Sequence, residues 1–542
     1  GTLDLTASPL LEELHCEQNK LTSLKMAACD VLTSLRCANN ELTELNVSLC
    51  PNLNELTCSS NKLTELDVST LSKLRSLYCD NNELTVLKIP HSLTGLQCND
   101  NQLTELELSG CPNIGWIDCK NNQIVALNVA NSPKLSSLYC DGNALEMLDV
   151  SNCSALSSVN CNNMKIKTLL ATGCSSLRFL HADNNAIDTL VLTGCDNLEE
   201  LLVRRNKLTS LDVSNMSKLR LIYAENNLLT EINVAGDVAL KQLELANNAL
   251  SELHMDNAQS LRSLRCENNQ LTDLMLSDCI VEKIICTNNK LNSLDLSTVS
   301  GLKVLYVDSN PLSALDWSRL PKMEEISISS TQIPAIDLSY MPKLTILMAE
   351  NSKLTELDAS VCPELIQLCC SDSAELSQVN VTSCAKLVTM NCWNLPLLEE
   401  LNLSMCKGLK FLNCSRSGVK QLDVSGCNEL CSINFGSTYL QSLNLHGKSK
   451  LYEIKGFMTD LVELDISDCT GLSVVDTWSL SCSTLRKIDI SGCTNLRTFT
   501  VGGNQLEELN ISGCENLIKL SIPGGTLTQL DLSDSPNLEE LG

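Results

Sequence analysis

Thirty cysteines in 542 residues are the first candidates for chemistry. Thiols in such number serve as disulfide partners, zinc ligands or nucleophiles. Their spacing decides among these roles. Thirteen stand two residues after an apolar position, in the frame LxC: Cys16, Cys37, Cys58, Cys79, Cys98, Cys119, Cys140, Cys161, Cys266, Cys286, Cys370, Cys392 and Cys414. Fourteen more follow a DVSx frame, from Cys29 and Cys50 through Cys493 and Cys514. Only Cys369, Cys431 and Cys482 lie outside both columns. Stacked strands would set equivalent residues about 4.8 Å apart with parallel side chains. A disulfide needs Cβ atoms roughly 3.5–4.5 Å apart and converging. Where the first column lacks cysteine it carries Ala182, Val203, Ala224, Leu245, Val307 or Ile328, so the site is apolar. The pattern predicts buried free thiols. No C-x-x-C pair occurs, so zinc-finger spacing is missing.

Cys369 is the exception, because it falls where the repeat predicts a solvent-facing side chain. A nucleophile there would need a base within reach. The nearest histidine on that face, His181, is nine turns away, about 43 Å at the strand spacing. The other histidines, His15, His91, His254 and His446, are equally scattered. No G-x-S-x-G, H-E-x-x-H or phosphate-loop motif is present. The reading is therefore non-enzymatic, with no catalytic residue, metal or cofactor.

Acidic groups form a third column. Asp4, Asp67, Asp149, Asp212, Asp295, Asp316, Asp337, Asp358, Asp423, Asp465, Asp489 and Asp531 occupy the DVS segment and carry much of the net charge of −26. Such aspartates accept local backbone N–H bonds at turns. A calcium ladder is the sharper alternative, but each turn offers one carboxylate without a loop supplying further oxygens. The acidity excludes nucleic acid as a partner and favours neutral, cationic or carbohydrate ligands.

These columns exist because the whole chain repeats. The leucine-type residue two before the cysteine position recurs as Leu14, Leu35, Leu56, Leu77, Leu96, Ile117 and onward to Leu520, giving 25 turns and 24 intervals, 19 of them 21 residues long. A period of this length predicts a solenoid. Alternation in LxC and in LDVS predicts two short strands per turn, stacked in parallel, and few or no long helices. An asparagine column from Asn19 through Asn310, broken by Met164, predicts amide bonds to neighbouring turns where the chain bends. From Thr331 onward serine, threonine and leucine replace it until Asn504. One solenoid domain is expected over 1–542. Its repeats read as regular at 1–325, degenerate at 326–498 and regular again at 499–542.

Segment 56–87, LTCSSNKLTELDVSTLSKLRSLYCDNNELTVL, carries the frame nearly throughout. In this respect the chain resembles bacterial leucine-rich-repeat surface proteins of the internalin J-like type, whose 21-residue repeats carry a cysteine in place of one leucine. The resemblance implies a leucine-rich-repeat fold and a surface adhesion or recognition role. It also implies an extracellular or cell-surface location. The chain opens and stops in mid-repeat, which reads as a fragment of a longer protein. No stretch is apolar enough to insert into a membrane.

Exposed positions of the LxC strand are where such a protein would bind. Four of the seven tyrosines fall in its central column. Turns 6 to 11 offer Trp116, Tyr139, Phe179, His181, Leu202 and Tyr223, rimmed by Lys120, Asp141, Asp183, Arg204 and Glu225. Aromatic centres with polar rims are the make-up of protein hot spots, and aromatics beside carboxylates also stack sugars. A second group is Trp393, Phe411, Phe457 and Trp478. The competing reading is that these rings simply pack along a sheet face, where aromatics have high strand propensity. The functional expectation is a recognition or adhesion module for host protein or glycan. The alternative is a structural stalk with no ligand of its own.

Overall fold

The computed structural model describes residues 1–542 apart from 27, 256–257, 277–278, 300 and 477–479. Two compact units are distinguished, Gly1–Asn269 with Ser277–Cys279, and Gln270–Leu276 with Ile280–Gly542.

In the first unit every LxC segment is a three-residue strand, from Glu13–His15 to Ser263–Arg265. The strands pair in parallel, and each repeat leucine meets its counterpart: Leu14 with Leu35, Leu77 with Leu96, Leu243 with Leu264. The 19-residue interval before Leu96 leaves this register intact, so the missing residues come out of the loop. Alternation makes the middle residue point inward. Leu35, Leu56, Leu77 and Leu138 are fully buried, while flanking residues are half-exposed. Each buried leucine contributes about 1.5–3 kcal/mol.

The DVS face is less continuous. Its strands pair only in short groups, such as Glu65–Asp67 with Val86–Lys88 and Met147–Asp149 with Thr168–Leu170 and Thr189–Val191. The aspartates make the expected turns. Asp67 Oδ1 accepts the Ser69 N–H at 3.1 Å and its hydroxyl at 2.6 Å, and these bonds hold its pKa below the ordinary value.

The asparagine column is the principal polar device of the core. Asn143 donates through Nδ2 to the carbonyls of Cys119 and Cys140, at 3.0 and 2.9 Å, and its Oδ1 accepts the Ile124 N–H at 3.0 Å. One side chain thus ties two turns and closes three buried backbone groups. The residue before it sits in the left-handed region, at φ 55 in Asn39 and φ 67 in Gly142. Asn, Asp, Ser and Gly dominate there because they tolerate that region.

The second unit continues the pattern. Parallel pairing runs from Lys283–Ile285 through Glu453–Lys455, and again from Val474–Val475 to Glu540–Leu541. Asn289 and Asn310 keep the amide, and from Thr331 to Thr459 hydroxyls take its place except at Leu395. Thr331 and Thr438 each donate to the carbonyl three residues back, at 2.7 Å, and Ser373 bonds across turns to Ser352 and to the Ala349 carbonyl. Two 3-10 turns, Trp317–Arg319 and Leu338–Tyr340, are capped by Asp316 and Asp337. No α-helix occurs among the described residues, and none of their helices is long and apolar enough to cross a membrane.

All thirty thiols are free and all but Cys431 are buried. In the LxC column desolvation pushes the Cys58 thiol up to about 12. The second column does more than fill space. Cys153, Cys174 and Cys195 donate S–H bonds to carbonyls of the preceding turn at 3.0–3.1 Å. Cys369 is a correction: it is buried, not solvent-facing. It is short, its register neighbours Met348 and Asn391 are longer, and the Gln367 amide reaches its sulfur at 3.5 Å. Burial raises its pKa, the opposite of an activated nucleophile.

Candidate functional site

The LxC face of the first unit is built from the ends of each strand triplet. The middle residue is committed to the core, so the first and third, together with the residue after the cysteine, form the outer surface. His181, Leu202 and Tyr223 are register partners on three successive turns. Tyr139 stands two turns before His181, separated by Asn160. Phe179 shares a strand with His181.

Three of these rings carry a cation. Lys120 Nζ lies 5.6 Å from the Tyr139 ring centre, Arg178 Cζ 5.1 Å from Phe179, and Arg204 Cζ 5.0 Å from Tyr223. The cations are themselves fixed. Arg204 bonds Asp183 Oδ2 through Nε at 3.0 Å and through Nη2 at 2.7 Å. Arg178 Nε meets Glu199 at 2.8 Å, and Lys120 meets Asp118 at 3.3 Å. The acids of the rim also support the backbone. Asp141 accepts the Asn162 N–H at 3.0 Å, Asn162 accepts the Asp183 N–H at 2.8 Å, and Asp183 accepts the Arg204 N–H at 2.7 Å. Part of the rim therefore belongs to the fold.

Electrostatics follow burial. Desolvation raises the Glu225 and Tyr223 pKa values, and Arg204 opposes both. Desolvation likewise raises Asp118. Asn160 Oδ1, His181 Nε2 and Glu225 Oε2 are enclosed without a hydrogen-bond partner, with Glu200 at 3.7 Å from His181 Nε2.

Trp116 is not part of the same cluster of rings. Its indole lies over Gly95 of the preceding strand and beside the Tyr78 ring, with centroids 5.9 Å apart and planes at 39°. It is thus turned toward turns 4 and 5. The sequence reading left Tyr78 out of the site; the signal was Gly95, an outer-face glycine beside a tryptophan. Glu244 and Ile285, at the third position of their LxC strands like Tyr223, are buried rather than exposed. Glu244 is held by Gln242 at 2.9 Å and by Arg265 at 3.4 Å.

In the second unit Phe411 is exposed and pairs in register between Thr389 and Ser432. Trp393 and Phe457 are half-buried rather than exposed. Phe457 is folded down, since a Cβ built on Gly436 would lie 2.9 Å from its ring. Trp478 lies outside the described residues. Among the described residues no group of three or more His, Cys, Asp or Glu side chains is placed to hold a metal ion.

No protein-family model matches the chain, and no curated protein does. Solved structures do. YopM from Yersinia enterocolitica is 22% identical, with TM-score 0.56, covering 99% of this chain and 94% of that one. The plant peptide hormone receptor RGFR1, solved in complex with RGF2, is 18% identical, with TM-score 0.51 and coverage of 98% and 96%. The functional domain of InlJ from Listeria monocytogenes, described as including a cysteine ladder, overlaps less well: 22% identity, TM-score 0.36, coverage of 80% and 74%. With the register and the repeat columns, the chain is a leucine-rich-repeat solenoid of 21-residue, cysteine-bearing turns.

Proposed function

We propose that the protein is a non-enzymatic recognition module. It is secreted by or displayed on a bacterial cell, and it adheres to host protein or glycan through the LxC face of the first unit. One observation carries this reading: Tyr139, Phe179 and Tyr223 each hold a fixed cation over the ring on the outer side of the LxC strands. Aromatic and arginine side chains, rigidly held and ringed by polar groups, are what dominate protein-binding energetics. A further support is the plant peptide hormone receptor RGFR1, a chain of similar fold that is solved in complex with RGF2.

The test is a pull-down and surface-binding assay against epithelial cells and extracellular-matrix proteins. Tyr139→Ala, Phe179→Ala and Tyr223→Ala combined should weaken binding at least ~10-fold with the melting temperature unchanged, as hot-spot residues do. Full binding by the triple variant would overturn the assignment of the face. No binding by the native protein to any cell or matrix component would favour the stalk.

A further inference from the structure

The orientation of Trp116 can be read from Gly95. A Cβ built on that glycine would lie 2.4 Å from Cε2 and Nε1 of the indole and 2.5 Å from Cζ2. These contacts lay the Nε1–Cζ2 side of the indole across the space over the glycine, so that the ring leans over the preceding strand and stays half-exposed. The Tyr78 ring extends this surface at 5.9 Å. Among the described residues, the cations seated over rings of this face fall on Tyr139, Phe179 and Tyr223, not on Trp116. The result is an open aromatic shelf across turns 4 to 6.

Beside it opens a depression of about 700 Å³, bordered by Arg36, Glu55, Thr57, Tyr78, Asp80 and Gln97. Its polar groups are held in place. Arg36 Nη2 is 3.1 Å from Glu55 Oε1. Asp80 accepts bonds from the Ser59 hydroxyl and, at 3.0 Å, from the Asn81 amide.

We propose that the Tyr78–Trp116 shelf and this depression bind a neutral oligosaccharide laid along successive turns. The C–H face of one sugar lies on the indole, and hydroxyls of the next sugars bond Gln97, Asp80, Glu55 and Arg36. This rests on the recognition role of the same face. Weakly positive C–H groups suit the negative face of an aromatic ring. Guanidinium, carboxylate and amide groups offer paired donors or acceptors in a plane, which matches neighbouring hydroxyls. The depression is lined mainly by charged and polar groups, which suits sugar hydroxyls rather than the desolvated anchor side chain of a protein partner. Two carboxylates against one guanidinium give no attraction for an acidic or sulfated sugar.

The experiment titrates the purified chain with neutral tetrasaccharides of glucose, galactose and N-acetylglucosamine, read by saturation-transfer NMR and tryptophan fluorescence. At least one should bind with a Kd on the order of 1 mM or tighter. Trp116→Ala should weaken it at least ~10-fold. Gly95→Val keeps the indole but lifts it off the strand, and should weaken binding comparably with unchanged circular dichroism. Tyr452→Ala, at an exposed ring of the second unit, should bind like the native chain. Failure of all three sugars to bind at about 10 mM, or binding that survives Trp116→Ala, overturns the proposal. If the Tyr139, Phe179 and Tyr223 variant loses a protein partner while no sugar binds, the recognition role stands and the shelf assignment falls.

Discussion

Two single residues put charge into the second cysteine column. Asp237 stands where cysteine is usual, between Met216 and Ala258, and Lys448 stands between Cys427 and Cys469. Asp237 accepts the Met216 N–H at 2.8 Å through Oδ1, while its Oδ2 is enclosed without a partner. Burial pushes its pKa from 3.8 up to about 7. The folded value lies above the unfolded one, so the protonated carboxyl is the form that folding favours. The cost of ionisation is absent near pH 4 and grows as pH rises toward 7. Asp237→Cys should therefore raise stability by about 1–3 kcal/mol at pH 8, with the gain shrinking toward pH 4. Urea midpoints at those two pH values measure it, and a gain independent of pH would sink the argument. Lys448 Nζ donates to the Ser425 carbonyl at 2.9 Å, and burial lowers its pKa. Its folded value lies below the unfolded one, so its contribution runs the other way, improving as pH rises.

At the scale of the element, the asparagine column gives each turn its stiffness. Asn143→Ala removes two donated bonds and one accepted bond in a buried site. Loss of about 3 kcal/mol is expected, since the stranded backbone groups stay enclosed; the denaturant midpoint reports it, and a loss below about 0.5 kcal/mol would mean water takes the place of the amide. This element was legible in the sequence because asparagine is costly in an apolar core unless every bond is made, so its recurrence at one spacing declared its job. The strands were legible for a related reason. Leu77 and Leu96 pair despite a short interval, because register is set by burial of the central leucine and not by loop length. The candidate site was less so. Trp116 was grouped with Tyr139 by proximity in sequence, but its ring direction depends on the space over Gly95. Cys369 was placed in solvent by column position, but its neighbours are longer than it is. Arg204 needed Asp183, a residue of the preceding turn, to be held over Tyr223. Outer-face positions lack the common constraint that makes the core periodic, so each is decided by its own neighbours.

Within each unit a turn leans on its neighbours, so stability is a sum of local terms and openings need not be global. We propose that the turns of 326–498, where single hydroxyls or the leucines Leu395 and Leu480 stand in for the amide, open more readily than those of 1–325. The buried thiols allow this to be read directly. A cysteine reagent cannot reach a sealed thiolate, so labelling requires the surrounding turn to open first. Cys370, Cys392 and Cys414 should be modified faster in native buffer than Cys58, Cys79, Cys98 and Cys119, as peptide mass mapping over time would show. Equal rates would place both segments in one cooperative unit. With twenty-nine of its thirty thiols enclosed, the protein carries a clock in most of its turns. Its local lifetimes can be timed along most of its length without adding a single foreign probe.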